Sequence, residues 1–480
     1  MFAVRLMASR MNVSFLQELL NSVAEQGRHL LPRSLGGVGR EDDINELASA
    51  LVSSRGEASG VAIAREILQR YRTLSPGDRV AFLKFLARTM QPDAGEVTRA
   101  AKAFLDGSST ASIRALQRAV ESPRLEFFRR LNLAPGGTAE LVAMRRDLIA
   151  ADDPSIAPVD NDLRHLLVSW FNRGFLVLRR IDWQTPAAIL DKIIAYEAVH
   201  EIQGWDDLRR RLDPADRRCF AFFHPSLVDE PLIFVEVALM GDIPESIGAV
   251  LRQEAPKNGD AEEKPTTAVF YSISNCQEGL RGISFGNFLI KQVVEDLVKE
   301  RPSLKTFVTL SPVPSFADWL SSVLADVDST LLTPAERKRL EVLGDPDWPH
   351  SEQISAALKP VLLRLAAYYF LVAKAGDGRP LDPVARFHLG NGARLERINW
   401  MGDPSPKGLA EAHGLMVNYR YEIKDIERNH EAYANDGTVA ASRQVHALLK
   451  TERGRPEPRK LLQIAGLRPG KSGPEQEEGK

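Results

Sequence analysis

The sequence predicts two structural halves, an all-α helical N-terminal domain followed by an α/β C-terminal domain. Three observations carry this. Apolar residues recur at helical spacing from about residue 13 to residue 155, and no strand-like alternation interrupts them. Beyond that point come short aromatic and β-branched runs bounded by Pro, Asp and Gly. One of these runs leads through a glycine-rich turn into a helix pattern. At 480 residues the chain also exceeds the ~100–200 residues of one ordinary domain.

In the first half, Phe15, Leu16, Leu19, Leu20 and Val23 share one helical face. Ser75-Pro76-Gly77-Asp78 places a capping serine and a first-turn proline before Val80–Leu86. Ser109-Thr110 opens another helix, and Leu125, Phe127, Phe128 and Leu131 mark a further one. Breaks fall at Gly36-Gly37, Gly77, Gly107 and Pro135-Gly136-Gly137. This half carries no catalytic constellation, so packing or assembly is its expected work. The segment Ala151–Ser155 reads as the boundary, followed by a helix over Asp162–Phe175. The expected domains are therefore residues 1–155 and 156–465, with a disordered tail at 466–480 that lacks apolar side chains from about Arg468.

In the second half, Cys219–His224 and Pro231–Met240 read as a strand hairpin. Lys257–Lys264 is a solvated loop, Thr267–Ser274 a strand, 287–300 a helix and Thr306–Leu310 another strand. Helices fill much of 315–375, and Leu415–Tyr421 is a late strand.

Bulk properties narrow the function. A formal net charge of -2 argues against a chain held on nucleic acid or anionic lipid by bulk charge. No run of about 18 apolar residues appears, so no membrane span is expected. The two cysteines, Cys219 and Cys276, form no CxxC or Cys/His cluster, and no HExxH is present. No zinc site, no disulfide scaffold and a reducing cytoplasm are expected. Met1–Arg10 holds two arginines and no acid, which reads as a weak transit peptide or as an upstream start before Met11.

The most informative local feature is the turn Glu278–Asn287 between strand and helix. Its glycines let the backbone approach a ligand closely. The free N–H groups of the following helix, with the positive end of its dipole behind them, suit a pyrophosphate. It is not a Walker loop, because no Gly-Lys-Ser/Thr follows, and Gly279, Gly282 and Gly286 do not fit GxGxxG. It resembles the Arg/Gln-x-x-Gly-x-Gly/Ala loop with which GNAT acyltransferases hold coenzyme A, with Ser284 in place of the middle glycine.

Four further stretches sharpen this resemblance. They are Tyr271–Gly282, Leu310–Phe316, Phe387–Ala393 continuing into Arg397–Trp400, and Gly414–Tyr421. Together, over about Leu163 to Tyr421, they resemble malonyl-CoA decarboxylase. The resemblance implies a helical oligomerisation domain and a GNAT-like catalytic domain. It implies a homo-oligomer, a tetramer, and malonyl-CoA as substrate with acetyl-CoA as product. By the same resemblance, CoA contacts fall on Arg281, Gly282, Ile283, Ser284, Phe285, Gly286 and Asn287. Ser311 and His388 fall on the catalytic positions and Tyr421 on a tyrosine near the active site.

The chemistry agrees with these residue types. Decarboxylation leaves a carbanion beside a thioester, whose carbonyl takes up the charge as an enolate, so no cofactor is required. The protein must hold CoA, orient the carboxylate, stabilise the enolate and protonate the α-carbon. Histidine suits the last step because its ordinary pKa lies near neutrality. Ser311 precedes Pro312, which cannot continue a strand ladder, so the chain is expected to turn there and expose the hydroxyl. On local sequence alone, Ser311 reads first as a turn cap and His388 as a loop histidine bonded to backbone; the family resemblance reverses both readings. Asn391 either orients the imidazole or supports a left-handed loop. Among other residues, His224 ends a strand, Cys276 lies near the turn without a histidine, and Lys291 sits one turn into the following helix. Glu236 lies within an apolar strand and calls for an arginine. An acyltransferase acting on an amine is the competing reading of the same domain.

Overall fold

A computed structural model describes residues 40–53, 56–252, 264–283 and 289–449. The periodicity at Phe15–Val23, most of the solvated loop and the C-terminal tail lie outside these residues, as do Ser284, Phe285, Gly286 and Asn287.

The helical half comprises α1 (Arg40–Ser53), α2 (Glu57–Thr73), α3 (Pro76–Thr89), α4 (Ala94–Asp106), α5 (Thr110–Val120), α6 (Pro123–Asn132), α7 (Gly137–Ala151) and α8 (Ala157–Trp170). Local chemistry sets the starts. Ser75 accepts from the Asp78 amide with Pro76 in the first turn, and Ser109 forms a capping box with Ser112. Buried Arg124 ties the bundle, reaching Asp162 at 2.8 Å and the Met90 carbonyl at 2.9 Å. Helix α8, beyond the expected boundary, packs on α3, α6 and α7, so the helical half continues to Trp170.

A seven-stranded sheet follows, in the order β1-β2-β3-β4-β5-β7-β6. Its strands are β1 (Val177–Ile181), β2 (Arg217–Phe223), β3 (Pro231–Met240), β4 (Thr267–Asn275), β5 (Thr306–Thr309), β6 (Arg394–Asn399) and β7 (Met416–Arg420). Only β4 and β5 are parallel. The expected hairpin is β2–β3. The sequence reading missed β1 and β6, because Leu178-Arg179-Arg180 and Leu395-Glu396-Arg397 carry charges on the half-exposed face of edge strands.

The helices of this half are α9 (Ala187–Tyr196), α10 (Trp205–Leu212), α11 (Ile247–Leu251), α12 (Leu289–Glu300), α13 (Phe316–Ala325), α14 (Pro334–Leu340), α15 (Glu352–Leu371), α16 (Pro383–Gly390), α17 (Pro406–Ala412), α18 (Ile426–Asp436) and α19 (Arg443–Leu448). Helices α9 and α10 cover one face of β1–β4 around Cys219, Ala221, Phe223 and Phe234. On the other face, α12, α13, α15 and α16 share one continuous apolar core with the helical half. By length and composition α15 is apolar enough to cross a membrane. Half of that stretch is buried inside the protein, with Leu358, Leu362, Leu365 and Tyr369 in the core. Strand β4, helix α12 and the parallel β5 belong to the mixed α/β domain that the sequence predicted.

One detail of the sheet sets up the site. The β4–β5 ladder ends where the Leu310 amide donates to the Phe270 carbonyl at 3.0 Å. The next residue, Ser311, pairs instead with Val417 through bonds of 2.8 and 2.9 Å, while β4 runs on to Asn275 against β3. The strands therefore part at Ser311, and one edge of β4 beyond Phe270 is free of β5. A bulge at Glu236/Val237 of β3 lies opposite the same point.

Candidate active site

Ser311 and His388, 77 positions apart in sequence, meet where the strands part, with Ser311 Oγ 3.1 Å from His388 Nε2. Asp382 caps α16 by accepting the Ala385 amide at 2.7 Å, and Pro383 follows at its first position. The helix ends at Gly390, and the chain turns away at Gly392, whose φ of 80° only glycine adopts readily and whose Cβ would lie 2.1 Å from the Ile426 carbonyl. His388 is thus in a last helical turn, not in a loop. Ser311 is also not exposed at a turn, because the β7 pairing carries it inward; it is 5% exposed and His388 is 2% exposed.

The hydroxyl network assigns the protons. Ser311 donates to Thr309 Oγ1 at 2.8 Å and so receives the Nε2–H of His388. Nδ1, 2.8 Å from the Tyr421 hydroxyl, then accepts from it. The imidazole also stacks on Tyr419, with ring centroids 4.5 Å apart. Burial lowers its pKa from 6.5 to about 3. The free protein therefore holds a neutral imidazole, which corrects the expectation of a group titrating near neutrality.

This carries a prediction. Between about pH 3 and 6.5 the unfolded chain binds a proton at His388 and the folded chain does not. This contribution to stability is complete above 6.5 and is lost as pH falls towards 3; His200 and His413, both held at about 4 by burial, act in the same direction. The His388 ring should remain neutral at pH 5 by ¹⁵N NMR, and the melting temperature should fall below pH 6.5. A ring midpoint near 6.5 in the free protein would contradict the assignment.

Of the turn residues, Arg281 and Gly282 are exposed and Ile283 is buried. Gly282 has φ 76°, with open space where a Cβ would stand. The turn leads towards α12.

Comparison with known proteins places this geometry. Residues 174–458 match the family model of the malonyl-CoA decarboxylase C-terminal domain, and residues 90–171 that of its N-terminal domain. The chain belongs to the malonyl-CoA decarboxylase family. The mitochondrial malonyl-CoA decarboxylase of Anser anser anser is 39% identical over 413 residues, covering 79% of this chain and 82% of the relative. That of Rattus norvegicus is 39% identical over 347 residues, 67% of this chain and 70% of the relative. The crystal structure of the enzyme from Rhodopseudomonas palustris is 55% identical with a TM-score of 0.80, covering 85% of this chain and 99% of that one. The Agrobacterium vitis structure is 55% identical with a TM-score of 0.81, covering 85% and 100%.

Within this decarboxylase fold the other expected residues sort clearly. Asn391 has φ -89°, so it is not left-handed, and its side chain donates to the Phe387 carbonyl at 2.8 Å. It closes the helix that carries His388, whose two ring nitrogens face Ser311 and Tyr421. His224 bonds the Trp170 carbonyl at 3.1 Å and packs on Phe171, joining the two halves. Glu236 pairs with Arg211 at 3.2 Å, and Lys291 with Glu427 at 2.9 Å. Cys276 is buried.

Sequence reasoning missed the support of the site. Thr309 Oγ1 accepts a hydrogen bond from the Ser311 hydroxyl and another from the Tyr419 amide at 3.2 Å. Asn418, fully buried in β7, donates to the Thr309 carbonyl at 2.8 Å and accepts from Asn399 at 2.9 Å. Arg397 holds Asn399 at 2.7 Å. The signal was present in two of the family stretches, as asparagines amid strand residues that ordinarily avoid them. Among the described residues, no group of three His, Cys, Asp or Glu could hold a metal ion.

Proposed function

We propose that this site decarboxylates malonyl-CoA to acetyl-CoA and CO2, with His388 Nε2–H as proton donor and Ser311 orienting the carboxylate. The observation that carries the reading is the chain Tyr421–His388–Ser311–Thr309 at the point where β4 and β5 part. The Arg281–Asn287 turn holds the pyrophosphate at the start of α12. The extended pantetheine, with its amide groups, lies along the free edge of β4 towards Ser311. The carboxylate takes the Ser311 hydrogen bond in place of Thr309. As the C–C bond breaks, CO2 leaves and its electron pair enters the enolate. The α-carbon of a thioester enolate is a much stronger base than an imidazolate, the ion that a neutral ring leaves when it gives up its proton. A neutral ring is therefore acid enough to protonate it, as in other sites that use an uncharged histidine. Tyr421 donates its proton to Nδ1 as the Nε2 proton leaves, so the ring stays neutral; a proton from solvent then reaches Nε2 as the Nδ1 proton returns to the Tyr421 oxygen, which restores both groups.

No cofactor enters this scheme, because the thioester carbonyl is the electron sink. The hydrogen-bond directions disfavour the acyltransferase reading: a base for an amine needs a free lone pair, whereas His388 presents Nε2–H and its Nδ1 faces Tyr421. Incubation with malonyl-CoA alone tests the proposal. Acetyl-CoA and CO2 are expected without an acceptor, and strict dependence on an added amine would reject it.

We also propose that the active form is a homo-oligomer, a tetramer, assembled through the hairpin α4–α5. These two helices pack on each other, and neither buries a residue fully. Leu105 is 80% exposed, Val120 50% and Ile113 43%, on helices with strongly one-sided apolar faces. Two copies meeting about a twofold axis would cover this face, which supplies one of the contacts a tetramer needs. Leu105→Asp with Val120→Asp should reduce the mass by light scattering, and an unchanged mass would place the interface elsewhere.

A further inference from the structure

The helical half reaches into the CoA-binding turn. Arg145, on α7, is 4% exposed and carries a forked contact. Its Nη1 donates to the backbone carbonyls of Gly279 at 2.7 Å and Arg281 at 2.8 Å. Its Nε donates to Asp160 on α8 at 2.8 Å. Arg164, also on α8, reaches the Gly282 carbonyl at 3.4 Å. Gly279 lies flat against α7, so close that a Cβ there would stand 1.9 Å from the Val142 carbonyl. Three carbonyls of one turn, those of Gly279, Arg281 and Gly282, are therefore held by side chains from the other half of the chain.

These contacts share a direction. The arginines take carbonyl oxygens of the turn, and a carbonyl engaged behind the turn is one that does not face an anionic ligand. A pyrophosphate is bound by N–H groups and repelled by carbonyls. Arg145 engages three acceptors from one planar group, Nη1 on the two carbonyls and Nε on Asp160, a fixed arrangement that a lysine ammonium on a flexible stem does not reproduce. A cavity of about 380 Å³ opens beside the same contacts, lined by Arg145, Asp160, Ile156 and Arg281, so the turn has room to shift if the clamp is lost.

We infer that Arg145 is a positioning residue for CoA recognition: it fixes the backbone of the 279–282 turn in its pyrophosphate-binding shape, and through it the helical half contributes to substrate affinity. This rests on the reading of the turn as the pyrophosphate site. It assigns the helical half a role beyond assembly, without placing any of its side chains on the substrate.

The test compares two substrates on the full-length protein. Malonyl-CoA carries the pyrophosphate, and malonyl-pantetheine lacks it. Arg145→Met should raise KM for malonyl-CoA about 10-fold or more while kcat changes less than about threefold, the pattern of lost uniform binding. Turnover of malonyl-pantetheine should be unaffected. Arg145→Lys should fall between wild type and Arg145→Met. Arg164→Ala, at a more exposed contact, should raise KM for malonyl-CoA by about two- to fivefold, and it keeps the test open if Arg145→Met does not fold. Equal losses on both substrates would reduce the clamp to a general structural support and overturn the inference. So would unchanged KM in folded Arg145→Met or, failing that variant, in Arg164→Ala. Gly282→Val separates this failure from a failure of the underlying reading. At φ 76° a β-branched residue is strained and blocks backbone approach. If calorimetry shows that Gly282→Val binds CoA normally, the turn is not the pyrophosphate site and the inference falls with it. If Gly282→Val loses CoA while the arginine variants do not, only the clamp is wrong.

Discussion

Replacing His388 by alanine is expected to lower kcat by about 10²–10⁴-fold, the range for a lost general acid, with KM for malonyl-CoA nearly unchanged. The split follows from position. His388 is buried against Tyr419 and between Ser311 and Tyr421, whereas the turn proposed to hold CoA lies on the path from β4 to α12. Removing the ring takes away the Nε2–H and leaves the turn untouched. His388→Gln retains an N–H near the same place and should recover part of any loss in orientation, but it cannot relay a proton and should remain slow. Because burial keeps the free imidazole neutral, kcat/KM should show no limb near pH 6.5 from this residue. Near-normal kcat in folded His388→Ala would remove the residue from the mechanism.

Ser311→Ala is expected to cost about 10–10³-fold in kcat, the range for a single positioned donor. The reason for a smaller loss is geometric. In the free protein the Ser311 proton points to Thr309 Oγ1 rather than to the imidazole, so the histidine does not activate the hydroxyl as a nucleophile. In the proposed mechanism the hydroxyl instead holds the carboxylate so that the scissile C–C bond stands across the thioester plane, where the developing carbanion overlaps the carbonyl. Alanine removes that restraint and leaves the proton donor in place. Intact-protein mass spectrometry after quenching with malonyl-CoA should therefore find no acyl group on Ser311. A stable adduct, combined with an inert alanine variant, would replace this mechanism with acyl transfer.

Much of the fold was legible because its signals are local. The caps at Ser75 and Ser109, the apolar runs of β2, β3 and β4, and the turn leading to α12 each depend on neighbours a few residues apart. The edge strands β1 and β6 were not legible, since half of their residues face outward and an edge tolerates charge. Within the site, Ser311, His388 and Tyr421 were readable only as parts of ordered stretches that resemble a family; singly, each has an ordinary structural explanation. Of the two readings of Asn391, the left-handed one fails because Asn-Gly in sequence does not tell which of the two takes the positive φ, and here Gly392 does.

By itself the sequence determined which residue types are available, where helices begin and strands run, and which family's stretches the chain carries, because these rest on neighbours in the chain and on their order. Tertiary structure alone decided three things. It parted β4 from β5 at Ser311, since strand pairing is a contest between distant partners and Val417 wins there. It made His388 neutral, because the shift comes from exclusion of water by residues far away in sequence. It also brought Arg145 onto the carbonyls of a turn more than 130 positions later, a contact that no local pattern encodes.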